Sequence, residues 1–261
     1  MNTLCKIGFG GGGFRGFAYA GVLDELRKQG IDWGQRCPHL ESIFGCSIGS
    51  IISLLIVAGF SSSEIMELAK NLELSDIINT DLIQFFISPN KLGFDNGNKL
   101  RSYLTNLISK KTSAKTMLEM FNYSKIKWII CVSNITKGKM EYISHETAPE
   151  LNWIDVILAS CALPPIFCPV TLNGDLCADG GILLTEYPEG YGFYLKSENS
   201  LDLTSAFPIA VYLDKILRLI TPKETIKEPC TIIDCGNSPM VTLNWNLRKD
   251  LIELGRNSIK K

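Results

Sequence analysis

The sequence predicts an α/β fold, a layered and mainly parallel central sheet flanked by helices. Three observations carry that expectation. Short apolar runs suited to strands alternate with segments of helical periodicity along the 261 residues. Two of the strand-to-helix junctions are dense in glycine, at Gly10–Gly13 and Gly45–Gly49. Hydrophobic residues make up 46% of the chain and charged residues only 20%, which is ample for a packed core and argues against wholesale disorder. No repeat or low-complexity tract divides the chain, so one domain is expected over residues 1–261.

The elements follow in order. Thr3–Phe9 is short, apolar and β-tolerant, and runs into Gly10–Gly13. Phe14–Gln29 reads as a helix, with Phe17, Ala20, Val22, Leu23 and Leu26 on one face and Gly30 as its stop. Leu40–Gly45 reads as a second strand and Ile48–Gly59 as a nearly all-apolar, buried helix. Ser61–Ser63 followed by Glu64 has the form of a capped helix start, with the helix reaching about Leu74. Residues 75–125 read as helical and loop-rich, broken at Gly93–Asn98. Ile126–Ser133 is a buried strand with Lys139–Ser144 pairing nearby, and Trp153–Ala162 is a short helix ending before Pro164–Pro165. Leu172–Cys177 frames a turn at Asn173–Gly174, and Thr231–Cys235 is a late strand.

Charge and cysteine usage narrow the classes. Lys plus Arg is 26 and Asp plus Glu is 27, a balance that points to no nucleic-acid partner. Arg256 with Lys260–Lys261 reads as a mildly basic, solvated tail. The nine cysteines are scattered, mostly inside apolar runs, with no zinc-ligand spacing, so neither metal nor cofactor is expected and a reducing compartment is. Met1–Gly13 lacks a long apolar stretch, so no signal peptide is expected. Ser42–Ser63 runs for 22 residues without a charge, but its glycines and serines and the absence of a flanking basic cluster favour a buried element over a membrane span. The expected location is cytoplasmic, peripheral to membranes. Leu82–Ile87 is apolar and suits either a core helix or a segment lining a lipid cleft or docking on a bilayer.

Three motifs carry chemistry. The first, Gly10–Gly16, lies between a strand and a helix, where successive backbone N–H groups attract negative charge. It fits a dinucleotide fingerprint in two registers, Gly8/Gly10/Gly13 and Gly11/Gly13/Gly16, and equally fits a phosphate or oxyanion cradle or a plain tight turn. The second, Gly45–Cys46–Ser47–Ile48–Gly49, is a GxSxG between strand and helix, the context of a nucleophile elbow. A nucleophilic serine needs a base, and the chain has only two histidines, His39 and His145, with none after position 145. His145 would need its acid between Ser47 and itself, and His39 would need the reversed order of other triad folds; the alternative base is a carboxylate. The best placed is Asp179 in Cys177–Gly181, which is also read simply as a turn residue before Gly180–Gly181.

Taken together, the motifs resemble the patatin-like phospholipase family. Gly11–Gly12–Gly13–Phe14–Arg15–Gly16 matches its glycine-rich element, Gly45–Cys46–Ser47–Ile48–Gly49 its GxSxG, and Asp179–Gly180–Gly181 its DG[AG]. The small-residue, Pro and Phe stretch Ala159–Phe167 is similar to the one ahead of the family's aspartate, and the resemblance covers about residues 4–188, with 189–261 completing the domain. Residues 182–188 depart from the family in lacking an asparagine. The resemblance implies a lipid acyl hydrolase acting on phospholipid or lysophospholipid at a membrane surface. It implies Ser47 as nucleophile, Asp179 as base and the N–H groups of Gly11, Gly12 and Gly13 as oxyanion hole. Arg15 either braces the glycine loop, meets a phosphate or is a surface residue; Gly16, Gly45, Gly49, Gly180 and Gly181 support the motifs. Two other classes stay in view. A Rossmann-type nucleotide-binding protein would use Gly8–Gly13 and need an acid such as Asp32 at the end of a second strand. The other is a catalytically silent lipid-binding module.

Overall fold

The computed structural model describes residues 4–33, 39–78, 92–197, 226, 228–240, 242 and 244–260. Leu82–Ile87 lies outside the described residues. Strand β1 (Lys6–Phe9) passes through a single 3₁₀ turn over Gly13–Gly16 into α1 (Phe17–Lys28). Next come β2 (Ser42–Cys46), α2 (Ile48–Val57), α3 (Ser62–Asn71) and the short α4 (Leu74–Ile77). Helices α5 (Asn98–Ile108) and α6 (Met117–Ser124) precede β3 (Lys127–Asn134) and β4 (Lys139–Ile143). Then follow α7 (Trp153–Ser160), β5 (Val170–Leu172), β6 (Asp175–Asp179), β7 (Tyr191–Lys196), β8 (Cys230–Asp234) and α8 (Leu247–Ile259).

The strands form an 8-stranded sheet in the order β5-β6-β3-β2-β1-β7-β8, with β4 also paired to β3. The run β3-β2-β1-β7-β8 is parallel throughout, while β4, β5 and β6 add an antiparallel margin. This is the mainly parallel α/β sheet that the sequence predicts. Parallel strands have both faces covered, which is why Ile7, Phe9, Ile43, Ile130 and Val132 on one face and Phe44, Cys46 and Cys131 on the other are all buried. Five cysteines, Cys46, Cys131, Cys161, Cys177 and Cys235, are buried among these side chains.

Local chemistry accounts for the helix ends. Ser61 and Glu64 form the anticipated capping box, Ser61 Oγ accepting from the Glu64 N–H and Glu64 Oε2 from the Ser61 N–H. That helix stops at Asn71 rather than Leu74, and α4 begins afresh. The uncharged stretch Ser42–Ser63 resolves into β2, α2 and the start of α3, and among the described residues no helix is long and apolar enough to cross a membrane.

Two elements go beyond the expectations, β7 and α8. Helix α8 packs along α1 so closely that a side chain at Gly255 would run into the Ala18 carbonyl. Arg256 is part of that contact and not of a solvated tail: its Nε donates to Asp24 Oδ2 at 2.9 Å and its guanidinium also meets Glu253. Burial works to raise the Asp24 carboxyl, but hydrogen bonds from Arg27, Arg256 and Lys28 outweigh it and hold the group below its usual value.

Candidate active site

The site lies where the parallel strands end. Phe9 of β1 pairs with Gly45 of β2, so the glycine loop and the GxSxG turn leave the sheet side by side. Gly11 is the point of contact: a Cβ built there would sit 3.5 Å from Ser47 Cβ. The turn at Ser47 is sharp and strained, with φ 51° and ψ −124°, a conformation rare for a residue with a side chain. Its neighbours must be glycines because the backbones crowd. A side chain at Gly49 would collide with the Phe9 carbonyl, and one at Gly45 would lie 2.5 Å from the Gly49 carbonyl oxygen.

Ser160 holds this turn in place, a role that sequence reading does not reveal. The Ser47 N–H donates to Ser160 Oγ at 3.0 Å, and Ser160 Oγ in turn donates to the Cys131 carbonyl at 2.7 Å. Ser160 is fully buried, and it stands in the small-residue stretch already singled out. From the other side, Ser50 Oγ donates to the Ser47 carbonyl at 2.6 Å.

Asp179 reaches the same place through β6. Cys46 pairs with Cys131 of β3, and Asp179 pairs with Val132, the next residue along. Ser47 follows Cys46 directly, so β3 brings the serine turn and Asp179 to the same end of the sheet. The Asp179 N–H donates to the Ala162 carbonyl at 3.0 Å, and its Oδ1 accepts from the Gly181 N–H at 2.8 Å, so the carboxyl is fixed and only 4% of the residue is exposed. Gly180 lies against the Cys131 carbonyl with no room for a side chain, which explains the small residue after the aspartate. Cys161 lines the same cavity; burial, with the Asp179 charge beside it, pushes its thiol up to about 12 and keeps it protonated, hence a poor nucleophile.

The glycine loop is tied at its edges and open in the middle. The Gly10 N–H donates to the Phe193 carbonyl, and the Phe14 N–H to the Met240 carbonyl at 2.8 Å. Among the described residues the N–H groups of Gly11, Gly12 and Gly13 make no hydrogen bond. Gly13 takes φ 57° with the Met240 carbonyl against its α-carbon, so both conformation and space favour glycine there. Gly12 faces Leu195 and Gly16 packs on Ile48. Arg15 braces the loop, its Nε donating to the Ser238 carbonyl at 2.9 Å.

The histidines are elsewhere. His39 precedes β2 and Ser47 follows it; five strand residues at about 3.3 Å each set them roughly 16 Å apart. His145 follows β4, which runs antiparallel to β3; its neighbour Glu146 pairs with Lys127 at the start of β3, opposite the end that carries Ser47. Its ring stacks on Phe121 with centroids 3.7 Å apart, and burial lowers its pKa. Asp32 also lies away from the glycine loop: its Oδ1 accepts from the N–H and the hydroxyl of Ser62 at the start of α3. Asp32 therefore precedes β2 instead of ending it and is held by the start of α3, and nothing supports the nucleotide-binding alternative.

A cavity of about 320 Å³ opens at Gly11–Gly13, Ser47 and Asp179 and continues between apolar side chains of α2, α3 and α5.

Comparison with known proteins gives the same outline. The family model described as patatin-like phospholipase matches residues 8–188. The uncharacterized protein R571 of Acanthamoeba polyphaga mimivirus is 29% identical over 187 residues, covering 72% of this chain and 61% of that protein. The probable lipid hydrolase 463L of Invertebrate iridescent virus 6 is 28% identical over 174 residues, covering 66% of this chain and 58% of that protein. The chain thus spans about three-fifths of the length of these curated relatives. In fold, the crystal structure of VipD from Legionella pneumophila superposes with a TM-score of 0.65 at 14% identity, over 98% of this chain and 66% of that one.

Proposed function

This chain belongs to the patatin-like phospholipase family, and on that premise we propose that it hydrolyses fatty-acyl esters of phospholipids or lysophospholipids through an acyl-enzyme on Ser47, with Asp179 as the base. The observation that carries the reading is the strained Ser47 turn beside a loop whose three central N–H groups have no partner among the described residues, with the buried Asp179 carboxyl lining the same cavity.

In the proposed reaction Ser47 Oγ attacks the ester carbonyl while its proton passes to Asp179. The carbonyl oxygen, now negative, is received by the N–H groups of Gly11, Gly12 and Gly13; one such donor is typically worth about 3 kcal/mol. The tetrahedral intermediate collapses, the C–O bond to the alcohol breaks, and the alcohol leaves with the proton from Asp179. Water then attacks the acyl-enzyme, giving its proton to Asp179, which passes it to Ser47 Oγ as the acyl C–O bond breaks and the fatty acid departs. A free aspartate titrates near 3.9 and is a weak base, so proton transfer must be coupled to C–O bond formation in the oxyanion-stabilised transition state. Arg15 contributes indirectly, by bracing the loop against Ser238. The lipid surface enters as the source of substrate.

The test is covalent. A fluorophosphonate probe should label the protein on Ser47 and nowhere else, and Ser47→Ala should lose the label together with ester hydrolysis. A label mapped to another residue, with lipid hydrolysis intact in a folded Ser47→Ala protein, would sink the reading.

A further inference from the structure

The cavity that leaves Ser47 follows α2 into the molecule, and its lining gives it a direction and a floor. Helix α2 starts directly after Ser47 and contributes Ile48, Ile51, Ile52 and Leu55 to the cavity wall, one helical face over successive turns. From Ile48 to Leu55 the helix rises about 10 Å at about 1.5 Å per residue. Beyond Leu55, Ala58 is completely buried and no later residue of the helix lines the cavity.

Three lining side chains belong to that far end. Leu55 belongs to the third turn of α2, and the short link of residues 58–61 returns the chain into α3, whose first turn supplies Ile65. Leu107 of α5 lies one turn before Lys111, and Lys111 Nζ pairs with Glu64 Oε1 at 2.7 Å, beside Ile65. The same ammonium lies 4.8 Å from the centre of the Phe60 ring and closes the bottom of the helix triplet from outside. Leu55, Ile65 and Leu107 are each under a tenth exposed.

We propose that this cavity receives the acyl chain of the ester and that Leu55, Ile65 and Leu107 form a floor that sets the longest chain it accepts. The proposal rests on the hydrolase reading above and adds a chain-length preference to it. A straight alkyl chain with bonds of about 1.5 Å at about 111° advances roughly 1.25 Å per carbon, so about eight carbons reach the floor. Up to that length each buried methylene adds about four-fold to kcat/KM, and further carbons add nothing because they have nowhere to go.

The experiment is a series of p-nitrophenyl acyl esters of increasing length, each below its critical micelle concentration, with kcat/KM normalised to the shortest. For the natural sequence the rise should break near about eight carbons. Leu107→Ala or Leu55→Ala, which deepen the floor, should move the break to longer chains, and Leu55→Phe, which raises it, to shorter ones. Melting curves identify any variant that does not fold; the Phe variant, which creates no void, carries the test if the Ala variants fail. Ser47→Ala is measured alongside. A break that stays at one length in every folded floor variant, with hydrolysis still dependent on Ser47, overturns the floor and leaves the hydrolase reading standing. Hydrolysis that is indifferent to Ser47→Ala removes that reading, and the floor with it.

Discussion

Two turns leave the same end of the sheet next to each other, and both join a strand to a helix through glycines, yet they are built in opposite ways. The Gly10–Gly16 loop is anchored at its margins, through Gly10 to Phe193 and through Phe14 to Met240, and leaves the N–H groups between them open. The Gly45–Gly49 turn is anchored at its centre, where the Ser47 N–H is taken by Ser160 and its carbonyl by Ser50. One turn leaves its central donors without partners among the described residues. The other spends its donors holding one side chain in an unfavourable backbone conformation, a cost of order 1–3 kcal/mol. Glycine serves the first by leaving the loop free of side chains above the donors, and the second by letting backbones touch. The lesson is that similar composition at a strand-to-helix junction can encode either a receptor or a mount, and only the hydrogen-bond partners tell which.

That contrast can be broken on either side. The largest effect is expected at the mounted residue itself: Ser47→Ala should reduce turnover by roughly a million-fold, with the melting temperature little changed or raised, because removal of a nucleophile abolishes the covalent route. Steady-state ester hydrolysis paired with a thermal melt checks it. Next comes the receptor. Gly11→Ala would place a methyl in ordinary contact distance of Ser47 Cβ, 3.5 Å, so the fold should persist while the methyl intrudes on the space the oxyanion needs. Turnover should fall by about 10²-fold, comparable to loss of one oxyanion donor. A smaller effect on rate, but a larger one on stability, is expected when the mount is loosened. Ser160→Ala takes the acceptor from the Ser47 N–H and one donor from the Cys131 carbonyl, costing about 1–3 kcal/mol of stability and about ten-fold in turnover. Urea unfolding and kinetics on one preparation separate the two. A Ser160→Ala protein as stable and as fast as the parent would show that the turn does not depend on that bond.

Much of this organisation is legible in the residues. The β1, β2 and β3 strands, the buried α2 helix, the Ser61–Glu64 cap and the turn at Asn173–Gly174 are encoded locally, by apolar runs, spacing and side chains that bond to their own backbone. So are the glycine loop and the serine turn, because their glycines have little use elsewhere. What is hidden depends on partners far along the chain. Ser160 looks like one more small residue in an apolar helix; its role exists only because Cys131 and Ser47, 29 and 113 residues away, come to it. Strand β7 carries Gly192 within an aromatic run and reads weakly until it is seen beside β1. Helix α8 contains Gly255, which costs about 1 kcal/mol in a helix interior and lowers its helical signal, yet is required where α1 presses against it. Arg256 resembles a surface charge until Asp24 is found opposite. Arg15 likewise declares itself as a brace only through Ser238, 223 residues on.

The central claim is that a carboxylate and not a histidine serves Ser47. The most direct measurement compares kcat for Asp179→Asn with kcat for the double variant His39→Gln/His145→Gln, on the same ester and with folding verified for both. Asp179→Asn keeps the shape and removes the base, and should lower kcat by about 10²–10⁴-fold, the usual range for a general base. The double histidine variant should stay within about two-fold of the parent, since both rings lie toward the opposite end of the sheet from Ser47. The reverse ordering, a folded but inactive double histidine variant beside an active Asp179→Asn, would contradict the account.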